Sequence, residues 1–197
     1  MRLRDETKER TIREKAIEMI VREGFDGLSM QKLAKAAGVS PATIYIYFQD
    51  REDLIRQIYF EESTRMSDIT LNGFDPDMPF EEGLRVQWKN RITYCLQHPM
   101  RMHFMEQMRH SPFHEKFIRD ANNPFIAAMG TFVKNAIRRN ELVKLPVEVY
   151  WSIAFAPLYQ LLKFHMSSQG MPETTHFVLD EALIDQTLEL VLKALKP

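Results

Sequence analysis

The stretch from Ser29 to Phe48 constrains the fold of this 197-residue chain more than any other part of it. Ser29 offers a hydroxyl N-cap to a run in which Met30, Leu33, Ala34 and Ala37 share one helical face, and Gly38 stops that run within about two turns. Ser40-Pro41 follows at once, pairing a capping hydroxyl with a proline at the first helical position, where the missing N–H is one the helix leaves unbonded anyway. The helix begun there is short, because Gln49-Asp50 opens another: Asp50 is a good N-cap, Glu52 and Asp53 complement the positive end of the dipole, and Leu54, Ile55 and Ile58 make an apolar face. Two short helices joined by a tight glycine-containing turn are the sequence form of a helix-turn-helix. In such a unit the second helix enters a DNA major groove and the first lies across the backbone, although short helix pairs also occur in proteins that never meet DNA.

The rest of the chain supplies the frame. Ile12, Ala16, Met19 and Ile20 fall on one helical face and predict a first helix over residues 5–23, ended by Gly24 and followed by a turn at Phe25-Asp26-Gly27. The helix opened by Asp50 is predicted to run over 50–70. The eight residues from Asn72 to Pro79 hold the densest cluster of turn formers and predict a loop. Beyond it the pattern predicts helices over 79–97, 99–110, 122–140, 145–168 and 175–195, with breaks at His98-Pro99, Ser111-Pro112, Asn123-Pro124, Asn140, Pro146 and Gly170-Met171-Pro172. No stretch alternates as a strand would. The expected fold is all-α with about nine helices. A three-helix head over residues 1–48 precedes a body over 49–197, with helix 50–70 as connector.

Composition narrows the function. The chain is 45% hydrophobic with 7 glycines, which suits a helical globular protein. Its net charge of −1 hides an asymmetry, because residues 1–48 carry 9 Lys/Arg against 7 Asp/Glu and the remainder carries 17 against 20. The head is the basic part, mildly so. Cys95 is the only cysteine, which excludes an intrachain disulfide or a cysteine-based zinc site within one subunit and fits a reducing, cytoplasmic setting. The N-terminus is charged, without the apolar stretch of a secretory signal. The most apolar segment, Val147 to Phe164, is interrupted by Glu148, Ser152, Pro157 and Gln160 and reads as a buried helix. His98, His103, His110 and His114 lie close in sequence, but Pro99 and Pro112 break the helix between them and no carboxylate or thiolate cluster accompanies them, so no metal site is expected. No nucleophile motif, phosphate-cradling loop or paired-carboxylate signature stands out, so neither catalysis nor a cofactor is expected.

Gly24-Phe25, Ser29 to Ala34, Ala37-Gly38-Val39-Ser40, Thr43 to Phe48 and Arg51-Glu52-Asp53-Leu54 together resemble the N-terminal signature of the TetR family of bacterial regulators. The resemblance covers about a quarter of the chain; the rest matches only in being helical and of the right length. It implies a homodimeric, DNA-binding transcriptional regulator, most naturally a repressor released from pseudo-palindromic operator DNA by a small apolar or aromatic effector. An activator, or a helix-turn-helix kept as a scaffold for protein interaction, are the alternatives. Ser29, at a helix N-terminus, is suited to a phosphate as well as to capping. Ser40 and Pro41 open the third helix, on which the family's contacts fall at Thr43 and Tyr45; Tyr45 as a core residue is the competing reading. Tyr47 and Arg51 occupy positions where the family grips the backbone. Ala42 and Ile46 would present apolar groups to thymine methyls, and Ile44 and Phe48 would face the core. The third helix has no Arg, Lys, Asn or Gln, so sequence choice would lean on Gln31, Lys32, an arm bearing Arg2 and Arg4, and DNA deformability.

In the body, Leu179, Leu183, Leu190 and Ala194 form one stripe of the last helix and Ile184, Leu188, Val191 and Leu195 another, a breadth that suggests two neighbours. Trp151, Phe155, Leu158 and Leu162 form a stripe in the preceding helix. The resemblance implies that these two helices meet their symmetry mates in a dimer, with Trp151, Phe155, Leu158, Leu162, Leu183, Ile184, Leu190 and Val191 as its candidates; a monomeric core is the alternative. Methionines and aromatics crowd the middle of the chain. Trp88, Tyr94, Phe104, Met105, Met108, Phe132, Phe155 and Tyr159 are the candidates to line an effector pocket, against the plainer reading of ordinary core.

Overall fold

The computed structural model describes residues 5–118, 124–172 and 174–197. The arm with Arg2 and Arg4 lies outside the described residues, as does the start of the predicted helix 122–140. Eleven helices are described: α1 (Glu6–Gly27), α2 (Met30–Ala36), α3 (Pro41–Tyr47), α4 (Arg51–Thr70), α5 (Phe80–Gln97), α6 (Pro99–Arg109), α7 (Pro112–Ile118), α8 (Pro124–Arg138), α9 (Val147–Ala154), α10 (Ala156–Ser167) and α11 (Glu181–Leu195). Among the described residues there is no strand, only an isolated bridge between Gln169 and His176.

The all-α expectation is met, with two helices more than the sequence suggested. The predicted 145–168 helix is two, because the backbone leaves the helical region at Phe155 (φ −129°, ψ −26°) just ahead of Pro157, which has no N–H to continue the ladder. Ser111-Pro112 is a start as well as a stop: like Ser40-Pro41 it places proline in the first turn of a helix, here α7. The last helix opens at Glu181, where the Asp180 carboxylate accepts the Leu183 N–H at 2.8 Å, and not at 175. Gly24 breaks the regular path of α1 as expected, taking φ +74° and ψ 177°, after which the chain makes one more turn to Gly27.

The chain divides into two compact units. The first holds α1 to α3, α4 as far as Met66, α6 and α7. Its core joins Ile12, Ala16 and Ile20 of α1 to Leu33, Ile44, Phe48, Leu54, Ile55 and Ile58, and to Phe104, Met108 and Phe117. Polar bonds fix the register of this packing. Arg13 donates to Glu9 and to Gln57, each at 2.8 Å, with its guanidinium 5.0 Å from the centre of the Phe48 ring. Gln107 donates to the Val21 carbonyl at 3.1 Å, tying α6 to α1. The start of α4 is a reciprocal cap: Asp50 accepts the Asp53 N–H at 2.8 Å and Asp53 accepts the Gln49 N–H at 3.0 Å.

The second unit holds the chain from Ser67 through α5, and α8 to α11. Phe80 and Phe132 stack at 5.7 Å between ring centres, and Phe74 meets Phe132 edge-on at 5.1 Å. Gly83 lets α5 approach α8, since a Cβ there would sit 2.4 Å from the Phe132 ring. Glu141 caps α5 by accepting the Phe80 N–H at 2.9 Å, and the Trp88 indole donates to the Ala154 carbonyl at 2.8 Å. Leu188, Val191, Leu192 and Leu195 give α11 its buried face.

Two outcomes follow for stability. Burial works against the charged form of Asp53, but the bonds from Gln49, Arg56 and Gln57 outweigh it and hold its pKa below the ordinary carboxylate value. A carboxylate with a lowered folded pKa stabilises the fold above its unfolded pKa and loses that contribution as pH falls through the folded one. Urea unfolding between about pH 5 and pH 2 should therefore show a steeper acid loss for the native chain than for Asp53→Asn, whereas Asp50→Ala should cost about 1 kcal/mol at neutral pH. Gly83→Ala should cost about 1–3 kcal/mol by driving a methyl into the Phe132 ring, measured by thermal or urea melts.

Candidate functional site

The helix-turn-helix is assembled from local caps. Ser29 accepts the Lys32 N–H at 3.2 Å, and Ser40 accepts the Thr43 N–H at 3.2 Å. Between the two helices Gly38 takes φ +68°, a left-handed turn that a Cβ would strain, and the Val39 N–H closes on the Ala34 carbonyl at 3.0 Å. Seven residues then make all of α3. Ile44 and Phe48 are 0% and 1% exposed and turn inward, as the sequence predicts. Tyr45 and Ile46 are 55% and 46% exposed, so the reading of Tyr45 as core gives way to a surface position. Pro41 and Ala42 are exposed beside them, and Thr43 is half-buried. The Thr43 hydroxyl lies 2.9 Å from that of Ser40.

The outward face of α2 carries Gln31, Lys32 and Lys35. Lys32 also reaches Glu23 at 3.4 Å across the surface, an exposed pair of little energetic weight. Two residues expected to grip phosphates are turned inward instead. The Tyr47 ring is buried, and its hydroxyl accepts the Asp5 N–H at 3.0 Å and donates to the Asp5 carbonyl at 3.3 Å. Arg51 donates to the Phe25 carbonyl, which the kink at Gly24 leaves accessible. Both are thus engaged with backbone on either end of α1. Sequence spacing put them near the surface, but a buried phenol and a half-buried guanidinium seek partners, and they find the Asp5 N–H and the second lone pairs of the Asp5 and Phe25 carbonyls, which already accept the Glu9 and Leu28 N–H groups.

The residues expected to line one pocket are divided. Phe104, Met105 and Met108 pack in the core of the first unit, while Trp88, Tyr94, Phe132, Phe155 and Tyr159 belong to the second. An open hollow of about 510 Å³ in the first unit is bordered by Phe25, Arg51, Glu106, His110 and Phe113, none of them a pocket candidate. Of the residues expected at a dimer contact, Phe155, Leu158, Leu162 and Val191 are buried within the single chain; Trp151, Leu183 and Ile184 are half-buried, and Leu190 is 60% exposed. Among the described residues no three His, Cys, Asp or Glu side chains are grouped to hold a metal, and no helix is long and apolar enough to cross a membrane.

Sequence reasoning passed over one residue of the second unit. Arg91 on α5 is 2% exposed, with its guanidinium 4.2 Å from the centre of the Phe155 ring, 5.1 Å from Trp151, 5.2 Å from Phe125 and 5.9 Å from Tyr159. Nη1 donates to the Tyr159 hydroxyl at 2.6 Å, Nη2 makes a long bond of 3.4 Å to Gln87, and Nε is buried with no partner. No carboxylate among the described residues pairs with it. Burial pushes the nearby Cys95 thiol up to about 11 and raises the Tyr150 phenol, against the pull of the Arg91 charge in both cases. The signal was present, since Leu84, Trp88, Arg91 and Cys95 recur at the spacing of one apolar helical stripe with a single charge in it.

Comparison with known proteins agrees with this geometry. Residues 12–58 match the family model described as bacterial regulatory proteins, tetR family. An uncharacterized HTH-type transcriptional regulator of Haemophilus influenzae is 30% identical over 105 residues, which span 53% of this chain and 56% of that protein. A solved TetR family transcription regulator from Marinobacter aquaeolei has the same fold over 99% of this chain and 98% of its own, with a TM-score of 0.84 and 27% identity. A TetR-family transcriptional regulator from Haemophilus influenzae Rd superimposes over 98% of both chains with a TM-score of 0.78 at 22% identity, a likeness of fold. The N-terminal helices are thus similar to those of the tetR family of bacterial regulatory proteins, and the fold is shared from end to end with a solved TetR family regulator.

Proposed function

We propose that this protein is a transcriptional regulator that binds operator DNA as a homodimer and, most simply, represses until a small effector enters its body and lowers its DNA affinity. In this reading residues 1–48 form the DNA-binding head and 49–197 the effector and dimer body. The observation that carries it is the division of α3 and its C-cap into an inward face of Ile44, Tyr47 and Phe48 and an outward face of Pro41, Ala42, Tyr45 and Ile46. A short helix with aromatic and aliphatic side chains standing 55% and 46% in water is unfavourable for a free surface and suited to a groove.

The contacts divide by chemistry. Ser29, Ser40, Thr43 and the Tyr45 hydroxyl bind phosphate oxygens, and Lys32 adds charge. Ala42 and Ile46 pack on thymine methyls, and Gln31 is the one amide on this surface able to read a base edge. Tyr47 and Arg51 act from beneath, Tyr47 by tying α3 to Asp5 and Arg51 by holding the end of α1, so that they set the angle of α3. Exposed Val147, Val149 and Leu190, with half-buried Leu183 and Ile184, supply apolar surface on α9 and α11 for a symmetric partner. Effector release requires that the ligand bind one head spacing better than the other.

Fluorescence anisotropy with the DNA upstream of the protein's own gene tests the reading. Thr43→Ala and Tyr45→Ala should each weaken specific binding about tenfold or more with the fold intact, and Lys32→Ala should lower the salt slope by about 1. Affinity for every duplex that ignores changes on α3 would favour a scaffold-only head. Leu190→Asp should shift the protein toward monomer in sedimentation and weaken operator binding with it, because two half-sites about 34 Å apart require two heads.

A further inference from the structure

We infer that Arg91 is the docking point for the carboxylate of the effector, whose remaining body is apolar. The inference rests on the reading of the body as an effector site, narrows that site to the second unit and adds the chemical class of what it takes.

Four rings surround the guanidinium and account for its burial in part, because aromatic faces attract a cation. They do not replace hydrogen-bond acceptors in the guanidinium plane. Nε has no partner and Nη2 has only the 3.4 Å contact with Gln87 on its own helix. These two nitrogens lie on the same edge of the planar fork, and their parallel N–H bonds match the two oxygens of a carboxylate. An unpaired charge in a site this dry is costly, and an acceptor brought by a ligand relieves the cost.

The surroundings select one negative charge and no more. Arg91 is the one buried cation among the described residues of this unit, so a dianionic phosphate would keep a charge uncompensated. Two phenols extend the donor set. The Tyr150 hydroxyl is buried with no partner, and burial keeps it protonated. The Tyr159 hydroxyl accepts from Nη1, which leaves its own proton to donate. The rings packed about the guanidinium, Phe155, Trp151 and Phe125, make an apolar surrounding suited to an alkyl chain or an aromatic ring and hostile to a second polar group. Gln87 holds the Thr70 carbonyl at 2.8 Å through its amide nitrogen, so its oxygen is free to yield Nη2 to the incoming acid.

The test uses the full-length protein and matched pairs of probes: octanoate against octanamide, and 3-phenylpropionate against 3-phenylpropanamide, with binding read by calorimetry and by release of labelled operator DNA. Each carboxylate should bind about tenfold or more tighter than its amide and should release DNA at lower concentration. Arg91→Gln should abolish that preference while leaving amide affinity within about threefold, and Tyr150→Phe should weaken the carboxylates alone. If Arg91→Gln does not fold, the comparison of each pair on the native chain and on Tyr150→Phe decides. Amides that bind as well as the acids, or a preference that survives Arg91→Gln, would overturn the role of Arg91 and leave an effector site of neutral ligands standing. If none of the four probes binds, the inference fails; if in addition no apolar compound of any charge alters operator affinity, the effector reading fails with it.

Discussion

What α3 offers to a partner depends on what it hides. Ile44 and Phe48 lock it to a core drawn from α1, α2 and α4, and the Tyr47 hydroxyl ties it to the start of α1 at Asp5. With those positions fixed inward, the 3.6-residue period leaves Pro41, Ala42, Tyr45 and Ile46 outward without further choice. Hydrophobic burial, which has no direction of its own, becomes directional here because caps at Ser29 and Ser40 and the left-handed turn at Gly38 fix where each helix begins and how the two meet. The proposed recognition surface is in this sense the reverse side of a small core.

The same economy of contacts explains why so few charged groups are needed at the surface. A head that carries 9 basic and 7 acidic residues cannot rely on a broad positive field. In the proposed reading, precise placement of hydroxyls and methyls does more of the work, and precision requires rigidity. Arg13 with Glu9 and Gln57, Gln107 with the Val21 carbonyl, and the reciprocal cap of Asp50 and Asp53 supply it at three points of the first unit. The second unit follows a different rule. Its core accepts a guanidinium among rings at a cost that close apolar packing would not incur, and a charge kept in that position is better explained by a ligand than by stability.

Much of this was legible from residues alone. The caps, prolines and glycines from Ser29 to Asp53 dictate local geometry within a few bonds, so α2, α3 and the start of α4 appear where the sequence puts them. The inward setting of Ile44 and Phe48 was equally legible from periodicity. Tertiary choices were not. Whether Tyr47 and Arg51 face solvent or fold back onto Asp5 and Phe25 is decided by which backbone groups lie nearby in space. Periodicity marks Phe104, Met108, Trp88 and Phe155 as buried, yet it cannot say that they fall in two units. Proline was ambiguous for a physical reason: the residue that ends one helix is also well suited to begin the next, and at Pro112 and Pro157 it does the second.

The most direct test of the central claim is selection of bound duplexes from a random DNA pool by the native protein and by a variant with Thr43, Tyr45 and Ile46 all replaced by alanine. The account predicts that the native chain enriches a two-fold symmetric sequence with half-sites about one helical turn apart, and that the variant enriches nothing while keeping its helical content. Enrichment of the same sequence by both proteins would contradict it, because the outward face of α3 would then have no part in reading DNA.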